Sequence, residues 1–114
     1  MSELPRPASL HPRVFAILLA LADGPRHGYR LMQELQEDPT ERWLLGPATL
    51  YRTLKEMQRD GLITSTEGPD EESGGPPRRY YRLTASGHRA GAAEAARMAA
   101  LVRRWEQATI PATG

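Results

Sequence analysis

Apolar residues near the start of the chain recur at the spacing of a helix. Intervals of three and four predict a helix over residues 11–22, whose apolar positions are Val14, Ile17, Leu18 and Leu21. Phe15 and Leu19 widen the apolar face beyond what one neighbour requires, which indicates contact with a second surface. Gly24 follows this helix and can adopt the left-handed conformation that ends it.

Two further helices are predicted in the middle of the chain. The second covers about residues 27–37, and its apolar side consists of Tyr29, Met32 and Leu35. After a connection over 38–46, a third helix runs from 47 to about 60. Pro47 suits the first turn of this helix, and Gly61 can cap its end.

The pattern then changes from helical to strand-like. Residues 62–66 and 79–83 are rich in β-branched and aromatic residues and predict two antiparallel strands. Between them, the Gly- and Pro-rich segment 67–78 predicts a long loop. Thr84 is a good N-cap for a final helix over about 85–107.

Three helices, a hairpin and a long helix are the elements of a winged helix-turn-helix protein. The predicted fold class is therefore α+β, mostly α, with a long C-terminal dimerisation helix. The predicted division is a flexible arm over 1–10, a DNA-binding domain over 11–84, the dimerisation helix over 85–107 and a flexible tail over 108–114.

Composition narrows the class of protein. The 114 residues are enough for one domain. The chain has no cysteine, which excludes disulfides and thiolate metal sites and favours a reducing, cytoplasmic location. We find no apolar run of about 18 residues that could span a membrane, and no signal peptide is expected at the N-terminus.

No arrangement of residues points to catalysis or to a cofactor. His11, His27 and His88 lack the spacing of metal ligands. The chain shows no Ser/His/Asp arrangement, no paired catalytic carboxylates and no phosphate-binding glycine loop. We therefore predict that the protein is not an enzyme and carries no cofactor and no metal.

Charge is segregated in the second half of the chain, although the net charge is only +1. Residues 78–89 contain four arginines and no acid, whereas residues 67–77 contain four acids and no base. This arrangement predicts a basic surface beside an acidic loop. The alternative is a pair of ordinary solvated patches.

The third helix has two different faces. At 100° per residue, one face is an apolar stripe of Leu50, Leu54 and Met57. The opposite face is basic, with small residues near its start; it consists of Ala48, Arg52, Lys55 and Arg59, with Thr49 at its edge. Small residues allow close approach to the major groove, and Arg and Lys read guanine or neutralise phosphate. The alternative is a surface helix with solvated cations.

The hairpin adds a second basic element. Arg78 and Arg79 lie where the loop enters the second strand, so they can reach the minor groove or the flanking DNA backbone. Tyr80 and Tyr81 alternate along the strand, which predicts that one packs inward and the other faces outward.

Four segments in register resemble motifs of the PadR family of transcriptional regulators. They are HGYRL at 27–31, TLY at 49–51 followed by Leu54, DGLI at 60–63, and RYYRLT at 79–84 followed by Gly87. The family often has Pro after TLY, where this chain has Arg52, so its half-site can differ from the commonest operators. The resemblance implies that Tyr29 and Tyr51 contact the DNA backbone. Tyr51 could alternatively be a border residue of the core.

The final helix carries a heptad-like seam. Its positions are four and three residues apart and consist of Gly91, Ala95, Met98, Val102 and Trp105. A helix of roughly 23 residues spans about 35 Å, so an apolar stripe along it needs a partner. We predict a homodimer in which Phe15 and Leu19 join this seam, as the resemblance also implies. The alternative is a helix that folds back on its own domain.

Met98 and Trp105 also suggest a ligand site. Methionine is adaptable and tryptophan offers a flat stacking surface, so they could line a pocket for a planar aromatic or phenolic effector. The alternative is that both residues only pack the seam.

Together these features predict a sequence-specific, ligand-responsive repressor that binds an inverted-repeat operator in double-stranded DNA as a homodimer. The first alternative is a winged-helix module that binds another protein and no DNA. A small enzyme and a regulator of another winged-helix family are further alternatives. The sequence does not identify the operator, the regulated genes or the effector.

Overall fold

A computed structural model describes residues 10–37, 46–68 and 78–109. These residues form four helices and three short strands. In chain order, the elements are α1 Pro12–Leu21, β1 Arg26–His27, α2 Gly28–Glu37, α3 Pro47–Arg59, β2 Ile63–Gly68, β3 Arg78–Leu83 and α4 Ala85–Ala108. The strands form an antiparallel sheet in the order β1-β3-β2.

The predicted fold class is confirmed: three short helices, a hairpin and a long final helix are all present. The one element that was not predicted is β1, so the sheet has three strands instead of two. Most of the predicted arm (1–10), connection (38–46), loop (67–78) and tail (108–114) lies outside the described residues. At the ends of the predicted loop, β2 continues to Gly68 and β3 already begins at Arg78, and α4 ends at Ala108.

The core lies where α1, α2 and α3 meet the sheet. Its members are apolar side chains that are at most 6 % exposed: Ala16, Ile17, Leu18, Leu21, Leu31, Leu35, Leu50, Leu54, Met57, Ile63 and Tyr81. The stripe predicted on α3 is therefore buried. The apolar side predicted for α2 was partly wrong, because Leu31 is buried and Tyr29 is exposed. The buried positions of α2 are 28, 31 and 35, which follow the spacing of one helix face.

Strand β3 is central in the sheet, and its side chains alternate between the two faces. Tyr81 is buried and lies opposite Ser65 of β2, whereas Tyr80 is half-buried and lies opposite His27 of β1. One tyrosine therefore packs inward and its neighbour faces the other side, as the alternation predicted. Strand β3 contacts α1, α2 and α4, whereas α3 contacts β2.

Thr84 joins the start of α4 to the turn after α3. Its hydroxyl accepts a hydrogen bond from Gly87 N at 3.0 Å and donates to Gly61 O at 2.6 Å. Its backbone N–H donates to Leu62 O at 3.1 Å. Gly61 has φ +78°, which favours glycine in this turn. The predicted N-cap is confirmed, and it also fixes where α4 leaves the domain.

Helix α4 packs on α1 near its start and extends away from the core towards its end. Glu94 is buried on the inner face, where its Oε1 accepts a bond from Leu10 N at 3.4 Å. Further along, Leu101, Val102 and Trp105 are 45 %, 55 % and 70 % exposed. None of the helices in the described part of the chain has the length and apolar character that crossing a membrane requires.

Candidate nucleic-acid interface

The outward face of α3 carries the basic residues that the sequence placed there. Arg52, Lys55 and Arg59 are exposed, as is Ala48 near the start of the helix, and Thr49 is half-buried at the edge. The burial of the opposite, apolar stripe of α3 in the core fixes the rotation of the helix about its axis. The helix can therefore present small and cationic residues together to a groove of DNA.

Tyr29 and Tyr51 come together beside this face although they belong to different helices. Their side chains are 53 % and 46 % exposed. With Tyr81 and Arg79 they line a hollow of about 320 Å³, which His27 and Gly28 complete. The hollow thus joins α2, α3 and the wing into one surface.

Gly28 allows the close packing at the floor of this hollow. A Cβ atom at this position would lie 3.2 Å from Tyr51 Cε1 and 3.5 Å from Tyr81 Cε2. The separation from Tyr51 is tighter than ordinary van der Waals contact and that from Tyr81 is ordinary, so a larger residue would require Tyr51 to shift by a few tenths of an ångström. Burial raises the pKa of Tyr81, and Arg79 opposes that rise, so the Tyr81 phenol remains protonated at neutral pH.

The wing is tied to α3 through Ser65 of β2. Gln58 of α3 donates from Nε2 to the Ser65 hydroxyl at 2.5 Å. Arg79 of β3 donates from Nη1 to the same oxygen at 3.0 Å, and its Nη2 lies 3.9 Å from Glu67 Oε1. Arg79 is therefore held beside the hollow while its side chain remains 53 % exposed. Arg78 begins β3 opposite Gly68, and its side chain lies outside what the structure describes.

Ser65 and Gln58 were missed by the sequence analysis. Each is an ordinary polar residue in its element, and no local pattern distinguishes it from solvated neighbours. Their role depends on the register of β2 with β3 and on the packing of α3, both of which are long-range features.

The predicted dimer residues divide into two groups. Phe15 and Leu19 of α1 and Gly91 and Ala95 of α4 line an apolar groove of about 150 Å³ between these helices. The other three lie further along α4, where Met98 is half-buried and Val102 and Trp105 are exposed. The five positions on α4 recur at intervals of four and three residues and therefore lie on one side of that helix.

No three His, Asp or Glu side chains in the described ranges lie close enough to hold a metal ion. His11 and His27 each accept a backbone N–H from a residue nearby in the chain. His11 Nδ1, for example, accepts the N–H of Arg13 at 3.2 Å and caps α1.

Comparison with known proteins places these features in a family. Residues 17–93 match the Transcriptional regulator PadR-like family. An uncharacterized 37.1 kDa protein of a Streptomyces fradiae transposon is 35 % identical over 95 residues, which are 83 % of this chain and 25 % of that protein. The chain thus spans about a quarter of the length of this relative.

Two solved structures extend the comparison to three dimensions. A PadR family transcription regulator from Clostridium difficile is 25 % identical with a TM-score of 0.73, covering 85 % of this chain and 97 % of that one. Bacillus subtilis PadR in complex with operator DNA is 25 % identical with a TM-score of 0.60, covering 69 % of this chain and 44 % of that one.

Proposed function

Because this chain belongs to the PadR-like family of transcriptional regulators, we propose that it is a ligand-responsive repressor that binds an inverted-repeat operator as a homodimer. The members of this family are regulators and not enzymes. The observation that carries the proposal is the single surface formed by the basic face of α3, Tyr29, Tyr51 and Arg79.

Each part of this surface has a distinct role in the proposed complex. Arg52, near the exposed start of α3, reads base edges in the major groove, and Thr49 and Ala48 allow the helix to approach. Lys55 and Arg59 neutralise backbone phosphates further along the helix. The hydroxyls of the two tyrosines contact the backbone, and Arg78 and Arg79 of the wing contact the flanking DNA.

The homodimer is supported by the apolar face of α1 and α4. A second copy would cover the groove lined by Phe15, Leu19, Gly91 and Ala95, together with Val102 and Trp105 beyond it. A twofold dimer presents two recognition helices related by the same axis, so its operator is an inverted repeat. Half-site centres are then expected about one helical turn of DNA apart, or a small multiple of it.

The ligand site is proposed near the twofold axis, between α1 and α4 of both copies. Met98 and Trp105 lie on one face of α4, where a planar aromatic effector could stack. A ligand that prefers one spacing of the recognition helices would change operator affinity. A coupling of about 1–3 kcal/mol corresponds to roughly a 5- to 150-fold change.

The test begins with selection of binding sites from a random duplex library. We expect an inverted repeat, bound with two chains per duplex in sedimentation. If the parent protein selects no sequence and binds duplex DNA only weakly at two salt concentrations, it is not a DNA-binding regulator. A winged-helix module that binds another protein would then be the better description.

The effector is tested by the fluorescence of Trp105 in a variant that carries Trp43→Phe. Planar phenolic and cationic aromatic compounds are titrated with and without the selected operator. Saturable quenching that weakens when operator is present supports the site. The effector proposal is wrong if a broad panel changes neither the fluorescence nor the DNA affinity.

A further inference from the structure

A second hollow lies on the other side of the β1–β3 edge from the tyrosine hollow. It has a volume of about 400 Å³ and is lined by Pro25, Arg26, His27, Arg30 and Tyr80. His27 contributes to the lining of both hollows, so the two are neighbours at the start of α2. Arg30 and Tyr80 do not line the tyrosine hollow, and His27 only completes its lining.

Two arginines share one carboxylate oxygen at this hollow. Glu34 Oε1 accepts from Arg26 Nε at 3.1 Å and from Arg30 Nε at 3.2 Å. Arg26 is also held by its own loop, because its Nη1 donates to Gly24 O at 3.2 Å and Pro25 O at 3.0 Å. One carboxylate cannot neutralise two guanidinium groups, so the hollow keeps an excess positive charge.

Arg30 carries the part of this charge that faces solvent. Its side chain is 61 % exposed, and within the described ranges no hydrogen bond engages its two terminal nitrogens. Glu34 fixes the guanidinium at Nε only. The remaining planar fork of N–H donors can therefore bind an oxyanion with two parallel hydrogen bonds.

His27 supplies a second donor because of the bond that its other nitrogen makes. Nδ1 accepts the backbone N–H of Arg30 at 3.1 Å, so in the neutral ring the proton is on Nε2. The ring of Tyr80 packs edge-on against His27, with centroids 5.6 Å apart and an interplanar angle of 85°. This contact holds the imidazole in place, and Tyr80, which also lines the hollow, carries a hydroxyl that can donate a third hydrogen bond.

We propose that Arg30, His27 and Tyr80 form a phosphate-binding site, and that a backbone phosphate of the operator occupies it. The site rests on the proposed function, since it shares His27 with the tyrosine hollow and therefore lies beside the proposed DNA-binding surface. A phosphate presents several acceptor oxygens and a negative charge, which match one guanidinium fork and two neutral donors. The site adds backbone affinity without reading bases.

The first experiment measures operator affinity as a function of salt for Arg30→Gln. Glu34 keeps its bond to Arg26, so the fold should persist. One lost phosphate contact makes the slope of log affinity against log salt shallower by about 0.9. Between about 50 and 200 mM salt, the affinity of the variant should therefore fall by a factor about 3- to 4-fold smaller than that of the parent. Arg104→Gln, an exposed arginine of α4, is the matched control and should retain the parent slope.

A second experiment identifies the phosphate. Single backbone phosphates of the selected operator are replaced in turn by neutral methylphosphonates. At one position, the neutral replacement should lower the affinity of the parent but not that of Arg30→Gln, which has already lost this contact. At the other positions, the replacement should lower the affinity of both proteins equally. Tyr80→Phe, which keeps the ring against His27, should give a smaller loss at the same position. If Arg30→Gln has the parent slope and the parent profile, the site is wrong although the proposed function stands.

A third measurement does not depend on DNA. Inorganic phosphate is titrated against the imidazole signals of His27 in NMR spectra of the full chain. Saturable shifts in the parent that are absent in Arg30→Gln support the phosphate site. If the parent binds no operator, this result assigns the site to a free phosphate compound and rejects the proposed function alone. If phosphate shifts no His27 signal and the slope is unchanged, the site is rejected.

Discussion

Arg13 of α1 donates a hydrogen bond from Nε to the hydroxyl of Thr53 in α3 over 3.1 Å. The same hydroxyl donates to Thr49 O at 2.7 Å, one turn earlier in α3. Thr53 is only 1 % exposed, so its hydroxyl is a buried polar group with both its donor and an acceptor position used. The bond ties α1, a helix of the proposed dimer interface, to the middle of α3, the proposed recognition helix.

Replacing Thr53 by valine should destabilise the protein while it keeps the packed volume. The variant loses two hydrogen bonds, each with a net contribution of about 0.5–1.5 kcal/mol, so we expect the free energy of unfolding to fall by about 1–3 kcal/mol. Thr53→Ser, which keeps the hydroxyl, should lose less of this bond energy. Urea unfolding at one fixed protein concentration measures both. Equal stability of Thr53→Val and the parent would show that the two hydrogen bonds of the Thr53 hydroxyl make no net contribution to the free energy of unfolding.

Gly87 of α4 should not tolerate a side chain. A Cβ atom there would lie 1.9 Å from Leu62 O, a backbone atom that cannot rotate away. Alanine favours helices by about 1 kcal/mol over glycine, but overpacking of this kind costs about 1–3 kcal/mol or more. We therefore expect Gly87→Ala to lower the thermal unfolding midpoint and to loosen the junction of α4 with the wing.

Gly91 is the matched control one turn further along α4. A Cβ atom at this position would meet Leu18 Cδ1 of the same chain at 3.7 Å, an ordinary contact. Gly91→Ala should therefore keep or raise the unfolding midpoint through its helix propensity, by up to about 1 kcal/mol. If the two variants change stability in the same direction, the close approach of Leu62 to α4 is not what requires glycine.

The features that the sequence predicted are those with a local cause. The stripe of Leu50, Leu54 and Met57 follows from helix periodicity, and the Thr84 cap follows from the residue itself. Strand β1 has two residues and depends on pairing with Tyr80 and Tyr81 of β3, so no periodicity could reveal it.

The missed contacts all join residues that are distant in the chain or that belong to no pattern. Thr53 lies within an apolar stripe, and its partner Arg13 is 40 residues earlier. Tyr29 is exposed because Leu31, two residues later and on the opposite side of α2, is buried in the core. The residues adjacent to Tyr29 in the sequence do not indicate which side is buried. For the same reason, the proposed phosphate site became visible only when β1 brought His27 against Tyr80.

Arg52 and Arg79 should affect DNA binding in different ways. Arg52 is exposed on α3 and is proposed to read bases, so Arg52→Ala should change the preferred sequence and cost about 1–3 kcal/mol at one position of the half-site. Arg79, held by Ser65 in the wing, is proposed to contact backbone, so Arg79→Ala should weaken all sequences evenly and flatten the salt dependence. Fluorescence anisotropy on a panel of operator variants measures both. If both variants bind like the parent at moderate salt, the proposed roles of Arg52 and Arg79 are wrong.

The dimer predicted through α4 is tested by a charge on its apolar face. Val102 is 55 % exposed in the single chain and would be buried by a second copy. Val102→Asp would place an unpaired charge in that interface, so sedimentation should show monomers at concentrations where the parent is dimeric. Ala96→Asp, about 120° around the same helix, is the control and should remain dimeric. Val102→Asp should also lower operator affinity, because monomers bind the two half-sites independently. An unchanged dimer for Val102→Asp would exclude this face.

Glu94 should make stability depend on pH in the acid range. Its Oε2 accepts from Arg97 Nη2 at 2.6 Å and its Oε1 from Arg97 Nε at 2.9 Å. These hydrogen bonds from Arg97 lower the pKa of Glu94 below its ordinary value of 4.5, against desolvation and with help from Leu10 N. Because the pKa is lower in the folded chain, the contribution to stability is complete above the unfolded pKa and is lost as pH falls through the folded one.

Glu94→Gln keeps the shape of the side chain and removes its charge. At neutral pH the variant should be less stable than the parent, because Arg97 and Leu10 N lose a carboxylate acceptor. As the pH falls below 4.5 and the parent carboxylate becomes protonated, the difference between the two proteins should shrink. Urea unfolding at a series of pH values, at one protein concentration, gives the difference directly, and acid effects of the other carboxylates cancel because both proteins share them. A difference that stays constant from neutral pH into the acid range would mean that the charge of Glu94 does not hold α4 against the start of α1.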